Sequence, residues 1–155
     1  MSEPKNWADA QIWLRYARED LQAAEELITA GITQRNTCFL AQQAAEKSIK
    51  AILVFRQVDF PKSHDLDALI NLMPKGWTVK EQSWDASALS QWAVEARYPG
   101  DWPETTASDA LAAIATAKGI LQAVVADFRR MGLCEEIPVL PEEHVPEIPG
   151  SQQER

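Results

Sequence analysis

Two stretches of this sequence repeat apolar residues at alternating spacings of four and three, a third between them gathers its apolar residues on one arc of a helix, and that period limits what the chain can become. In the first, Ala10, Leu14, Ala17, Leu21, Ala24 and Ile28 mark a stripe between about Trp7 and Ala30. Such spacing stacks side chains on one side of a helix, whereas a strand needs a period of two. In the last, Ala110, Ile114, Ala117, Leu121, Val124 and Phe128 do the same between about Thr105 and Met131. Between them, from about Gln34 to Val58, steps of about 100° per residue gather Leu40, Ala41, Ala44, Ala45, Ile49, Ile52 and Phe55 on one broad arc. Gln43, Glu46, Lys47 and Lys50 fall on the opposite side and read as a solvated face, with Glu46 and Lys50 as an ordinary i,i+4 pair.

Punctuation between the stripes agrees with helices. Asn6 is placed to cap the first, and Gly31 stands where it should stop. Pro61 ends the second. A short third helix is expected from Leu66 to about Met73, capped by Ser63 or Asp65 and stopped by Pro74. Pro74 to Ser83 reads as irregular, and a fourth helix runs from about Trp84 to Ala96. Tyr98-Pro-Gly-Asp-Trp-Pro103 breaks regular structure, and Gly132 closes the last helix. No stretch alternates in the manner of a strand, so the fold class is all-α. Ala-rich stripes pack closely, which implies an up-and-down helical bundle of four to five helices.

A chain of 155 residues makes one domain. The bundle is expected to occupy residues 1–134 and an acidic, Pro-rich, mobile tail residues 135–155. Six Glu and one Arg in that tail carry −5 of the net −8, so the body is near neutral and can still bear a local basic patch. The balance argues against duplex DNA, which demands many cations on one face. The N-terminal residues lack a signal-peptide pattern, and aliphatic or aromatic runs such as Ala51 to Phe55 fall far short of the roughly 20 residues a membrane span needs. A cytoplasmic protein without a membrane segment is the expectation. Trp7, Trp13, Trp77, Trp84, Trp92 and Trp102 are many for this length, and exposed members would favour a homodimer, although capping the bundle's ends would use them equally well.

Most site chemistries lack their residues. With His64 and His144 as the only imidazoles, neither following a Glu by three positions, a di-iron carboxylate site is not expected. Cys38 and Cys134 are isolated, so no zinc site or disulfide scaffold is expected, and His144 lies in the tail. Neither a nucleophile elbow nor a Gly-rich phosphate loop occurs, so no metal and no cofactor is expected. Three features remain. Lys47 and Lys50 lie on the polar stripe of the second helix. His64 precedes a short helix, where local hydrogen bonding would explain it as well as a ligand. Glu95-Ala-Arg97-Tyr98-Pro99-Gly100-Asp101-Trp102 sets Arg97, Tyr98 and Asp101 at a helix end, and an Arg fork there can grip phosphate or simply meet the helix dipole.

Several segments, in order, resemble the HEPN-domain family. They are Trp13-Leu-Arg-Tyr-Ala-Arg-Glu-Asp-Leu21, Phe39-Leu-Ala-Gln-Gln-Ala-Ala-Glu-Lys-Ser-Ile-Lys-Ala-Ile-Leu53, Pro61-Lys-Ser-His-Asp-Leu66 and Glu95-Ala-Arg-Tyr-Pro99. The resemblance covers roughly Trp7 to Phe128. It implies a helical bundle that forms homodimers, often as the partner of a small nucleotidyltransferase in a toxin–antitoxin pair. It also implies one of two activities. Some members are metal-independent ribonucleases carrying an Arg, four to six intervening residues and a His; others bind RNA or nucleotide without cleaving it. Arg97 matches the Arg of that motif. After four, five and six intervening residues stand Trp102, Pro103 and Glu104, and neither Trp nor Pro transfers protons near neutrality. The expectation is therefore a non-catalytic or weakly catalytic homodimer. It would partner a nucleotidyltransferase and bind nucleotide or single-stranded RNA through Arg97, Tyr98, Asp101, Lys47, Lys50 and His64. The rivals are an endoribonuclease toxin with a degenerate motif and a structural protein-interaction domain.

Overall fold

The computed structural model describes residues 5–134; the tail expectation and His144 lie outside the described residues. Seven helical segments follow one another: α1 (Lys5–Ala30), α2 (Gln34–Phe55), α3 (Leu66–Leu72), α4 (Thr78–Glu81), α5 (Ala86–Ser90), α6 (Trp92–Glu95) and α7 (Ala107–Arg130). No strand occurs among the described residues. The fold is the expected all-α bundle. Helix α1 turns at Gly31, whose φ of +68° suits a residue without Cβ, and α2 returns antiparallel to it. Helix α7 runs parallel to α2. Phe128 meets Phe55 at one end with ring centroids 5.1 Å apart, and Ala107 lies beside Gln34 at the other. The short helices α3 to α6 supply the return path between them.

All three stripes face inward. Ala10, Leu14, Ala17, Leu21 and Ala24 are buried, as are Ala110, Ala117, Leu121, Val124 and Phe128; Ile28 and Ile114 are half-buried. One end of the bundle closes with Trp7, Phe55, Trp77 and Phe128, whose rings meet edge-on or tilted at 4.8–6.3 Å. Such pairs add about 0.5–1.5 kcal/mol each beyond the area they bury. Of the six Trp, then, Trp7, Trp77 and Trp92 are buried, Trp13 and Trp84 are half-buried, and only Trp102 is well exposed. Helix α7 is long and apolar enough to cross a membrane by length and composition, yet its apolar stripe forms one wall of this core.

Several boundaries differ from the sequence expectation, each for a physical reason. Asn6 is not an N-cap: α1 begins at Lys5, and the Asn6 amide donates to the Phe55 carbonyl at 2.5 Å, tying the start of α1 to the end of α2. Helix α2 stops at Phe55 rather than Val58. Gln57 takes a left-handed φ of +57°, and the Val58 N–H reaches back to the Leu53 carbonyl. This C-terminal motif normally uses Gly, so nothing in the composition announces it. The Pro74–Ser83 stretch is not wholly irregular, because α4 forms there. Its Thr78 N–H and hydroxyl both donate to the Asp127 carboxylate of α7, at 2.6 and 2.7 Å. A cap supplied from 49 residues away leaves no local signal. The expected fourth helix is divided at Gln91 into α5 and α6. Helix α7 starts at Ala107, two residues late, because Thr106 and Asp109 form a reciprocal capping box.

Candidate functional site

Helix α2 is wrapped on nearly every side, and this overturns the reading of its polar stripe as a solvated face. Gln42, Glu46 and Lys50 are all buried, while Gln43 and Lys47 are half-buried. Their spacing of four keeps Gln42, Glu46 and Lys50 in one line, covered by α1 on one side and the 56–65 loop on the other. The sequence stripe identified one buried face of α2; the helix has two.

Burial of charge demands partners. The Glu46 carboxylate has three: Oε1 accepts from the Gln42 amide at 3.1 Å and from His64 Nδ1 at 2.7 Å, and Oε2 accepts from Lys50 Nζ at 3.0 Å. Burial by itself would raise the Glu46 pKa. The hydrogen bonds from His64, Lys50 and Gln42, with the Lys50 charge, outweigh it and hold the carboxyl below its ordinary value of 4.5. A carboxylate can only accept, so the imidazole donates from Nδ1. The His64 side chain is 49% exposed. The Gln42 amide also donates to the His64 carbonyl at 3.2 Å, and Ser90 of α5 accepts from the Leu66 N–H at 3.0 Å. Asp65, not Ser63, caps α3 through the Ala68 N–H. The His64–Glu46, Gln42–His64 and Leu66–Ser90 bonds fix the His64 loop against α2 and α5.

Lys50 and Lys47, both expected to meet ligand, are engaged within the fold. Besides Glu46, Lys50 Nζ faces the Trp13 and Phe60 rings, 5.9 and 5.3 Å from their centroids. Lys47 pairs with Asp20 of α1 at 2.5 Å and lies 5.9 Å from the Tyr16 ring centroid. Arg97 differs from both. Its guanidinium lies 5.5 Å from the centroids of Phe39 and Tyr98, it is exposed, and no carboxylate pairs with it among the described residues. Arg35 donates to the Ala96 carbonyl at 2.5 Å and so pins the residue before Arg97 to the start of α2. Tyr98 is 55% exposed; its carbonyl accepts from the Trp102 indole at 2.7 Å, and Asp101 stands exposed in the turn between them.

Phe39 and Glu46 are seven residues apart, nearly two helical turns, so they share a face of α2 about 10 Å apart along its axis. The structure therefore aligns Arg97 and His64 over one face of the same helix, one at the Phe39 end and one at the Glu46 end. Sequence reading missed Phe39, Gln42 and Glu46 as the parts that hold them. The signal was present in the polar spacing of four at Gln42, Glu46 and Lys50, beside a His that follows a proline turn. A separate open hollow of about 310 Å3 lies between the α1–α2 turn and the 102–105 segment, with Arg35, Glu95, Trp102 and Glu104 in its wall. Arg97 and Tyr98 border the α2 face rather than that hollow. Among the described residues, no group of three or more His, Cys, Asp or Glu is gathered for a metal ion.

The profile of the HEPN domain matches residues 10–130. Among solved structures, the chain is similar to TT1696 from Thermus thermophilus, at 27% identity and a TM-score of 0.64, covering 74% of this chain and 94% of that one. It is also similar to ST0689, an archaeal HEPN homologue, at 26% identity and a TM-score of 0.59, covering 76% of this chain and 96% of that one. No curated protein matches the sequence. With 121 consecutive residues under one profile and the same bundle in both structures, the chain belongs to the HEPN domain family.

Proposed function

We propose that this HEPN bundle is a homodimer that partners a small nucleotidyltransferase and holds the phosphates of a nucleotide or single-stranded RNA. The ligand lies along the α2 face headed by Arg97. The observation that carries the reading is the state of Arg97. Along α2, Lys47 and Lys50 are each paired with a carboxylate and Arg35 donates to the Ala96 carbonyl, whereas Arg97 is exposed, braced by two rings and without a carboxylate partner among the described residues. A planar fork of donors held in this way suits a phosphate, and the adjoining Tyr98 offers a face on which a base can stack. Val94, Tyr98 and Trp102 leave apolar area exposed around the same segment, which supports a subunit contact close to the site. Residues 102–104 supply no imidazole, so the motif-based nuclease chemistry of other members lacks its histidine there. Titration of a labelled oligonucleotide into wild type, Arg97→Ala and Arg97→Lys tests the reading. Both variants should bind more weakly while keeping the helical signal of wild type.

A further inference from the structure

We infer that the open hollow between the α1–α2 turn and the 102–105 segment binds a guanidinium group, independently of the phosphate reading above. Its volume of about 310 Å3 lies at the lower end of the range that small-ligand sites occupy. One wall is an aromatic ring held in place. The Trp102 indole donates to the Tyr98 carbonyl at 2.7 Å, and it lies so close over Gly100 that a Cβ there would stand 2.7 Å from the ring. The turn thus presents a 42% exposed indole in a fixed position, and the buried Trp92 also lines the hollow. Glu95 and Glu104 share the lining, and neither carboxylate has a hydrogen bond or ion pair among the described residues. Arg35 is the cation of the lining, and it donates to the Ala96 carbonyl at 2.5 Å. Two Glu against one Arg leave the lining with a net charge of −1.

These groups select the ligand by its chemistry. Carboxylates only accept, so the ligand donates, and a negative lining disfavours an anion such as phosphate. A hard metal ion does not fit. Among the described residues no third His, Cys, Asp or Glu joins the pair, and an indole supplies no oxygen ligand. A guanidinium meets both parts of the wall at once: its plane lies on an indole face while the N–H groups along its edge reach carboxylates. An ammonium is a compact, strongly hydrated point charge and covers less of the ring. Two sources carry the group, a free guanidino compound and an arginine side chain of a partner protein.

The test titrates the full chain with N-acetyl-arginine amide, its neutral isostere N-acetyl-citrulline amide, and agmatine. Calorimetry gives the affinity, and the indole N–H signals in NMR give the place. Saturable binding of the two cations is expected, with movement of the Trp102 signal and a preference of about tenfold or more over the citrulline compound. Glu95→Gln and Glu104→Gln should each weaken binding roughly three- to tenfold, and Trp102→Leu by a similar factor, with unchanged circular dichroism. The three side chains make separate variants, so one that fails to fold leaves two to decide. Tighter binding of agmatine assigns the site to a free compound, and tighter binding of the blocked arginine assigns it to a protein chain; either supports the inference. No saturable binding of either cation, equal binding of the citrulline compound, or wild-type affinity in the folded variants would overturn it.

Discussion

Glu46 and Lys50 allow a quantitative test of the buried polar line. Their side chains are 5% and 9% exposed and 3.0 Å apart, so neither can recover water when the other is lost. Truncation of Glu46 to Ala strands the Lys50 ammonium between Trp13 and Phe60 and leaves the Gln42 and His64 donors without their acceptor. Breaking a buried pair from one side costs about 3–5 kcal/mol. Lys50→Met strands the carboxylate less severely, because His64 and Gln42 still serve Glu46; about 2–3 kcal/mol is expected. The double variant Glu46→Met, Lys50→Met removes both charges and fills the space with apolar atoms. Its loss should fall short of the summed single losses by about 1–3 kcal/mol. Urea unfolding followed by tryptophan fluorescence and by circular dichroism measures all three, with an unchanged m-value as the condition for comparison. The pH dependence supplies an independent arm. Folding lowers the Glu46 pKa, so its contribution is fully present above the unfolded value and is lost as pH falls through the folded one. The part of acid destabilisation that starts near the ordinary 4.5 should therefore be weaker in Glu46→Gln than in wild type. Strictly additive single losses, or an acid limb identical in Glu46→Gln, would refute the account of this line as a coupled, charged network.

The same structure makes further predictions. Asp127→Ala removes the cap of α4 and the partner of Arg130 at a buried position, and should cost about 2–4 kcal/mol by urea unfolding; a loss below about 1 kcal/mol would mean that α4 is held by packing alone. Cys38 is fully buried, and burial first, then the Asp109 charge, pushes its thiol up to about 12, whereas Cys134 is exposed. A thiol reagent at about pH 8 should therefore label one cysteine per folded chain and two per unfolded chain; rapid labelling of both in the folded protein would contradict that burial. Light scattering on the eluted protein should give about twice 17.3 kDa, and a monomer throughout the micromolar range would remove the homodimer.

The legible part of this fold was the part written locally. Stripes such as Ala10 to Ile28 and Ala110 to Phe128 specify long helices without reference to any partner, and the capping residue Asp65 lies next to the helix it starts. What the sequence concealed depends on contacts between distant segments. Asp127 organises α4 across 49 positions, Asn6 binds the end of α2, and Gln57 takes a conformation its side chain does not advertise. The same holds for the site. Arg97, Tyr98 and His64 were visible as residue types, but the polar stripe of α2 looked like a surface because a helical wheel cannot show that a loop covers it. Glu46 is for that reason a hub in the structure and an ordinary surface acid in the sequence.

The central claim is that the unpaired guanidinium of Arg97 is what a phosphate meets on this bundle, and one titration tests it directly. A short fluorescent single-stranded RNA is titrated with wild type and with Arg97→Ala, at fixed salt and in EDTA, with circular dichroism confirming the fold of both. Loss of a charge-assisted two-point contact is worth about 1.5–3 kcal/mol, so the variant should bind roughly ten- to 150-fold more weakly. Arg97→Lys should lie close to Arg97→Ala, because a point charge does not reproduce the fork. Equal affinity of wild type and Arg97→Ala would contradict the claim and leave Arg97 a residue that only packs on Phe39 and Tyr98.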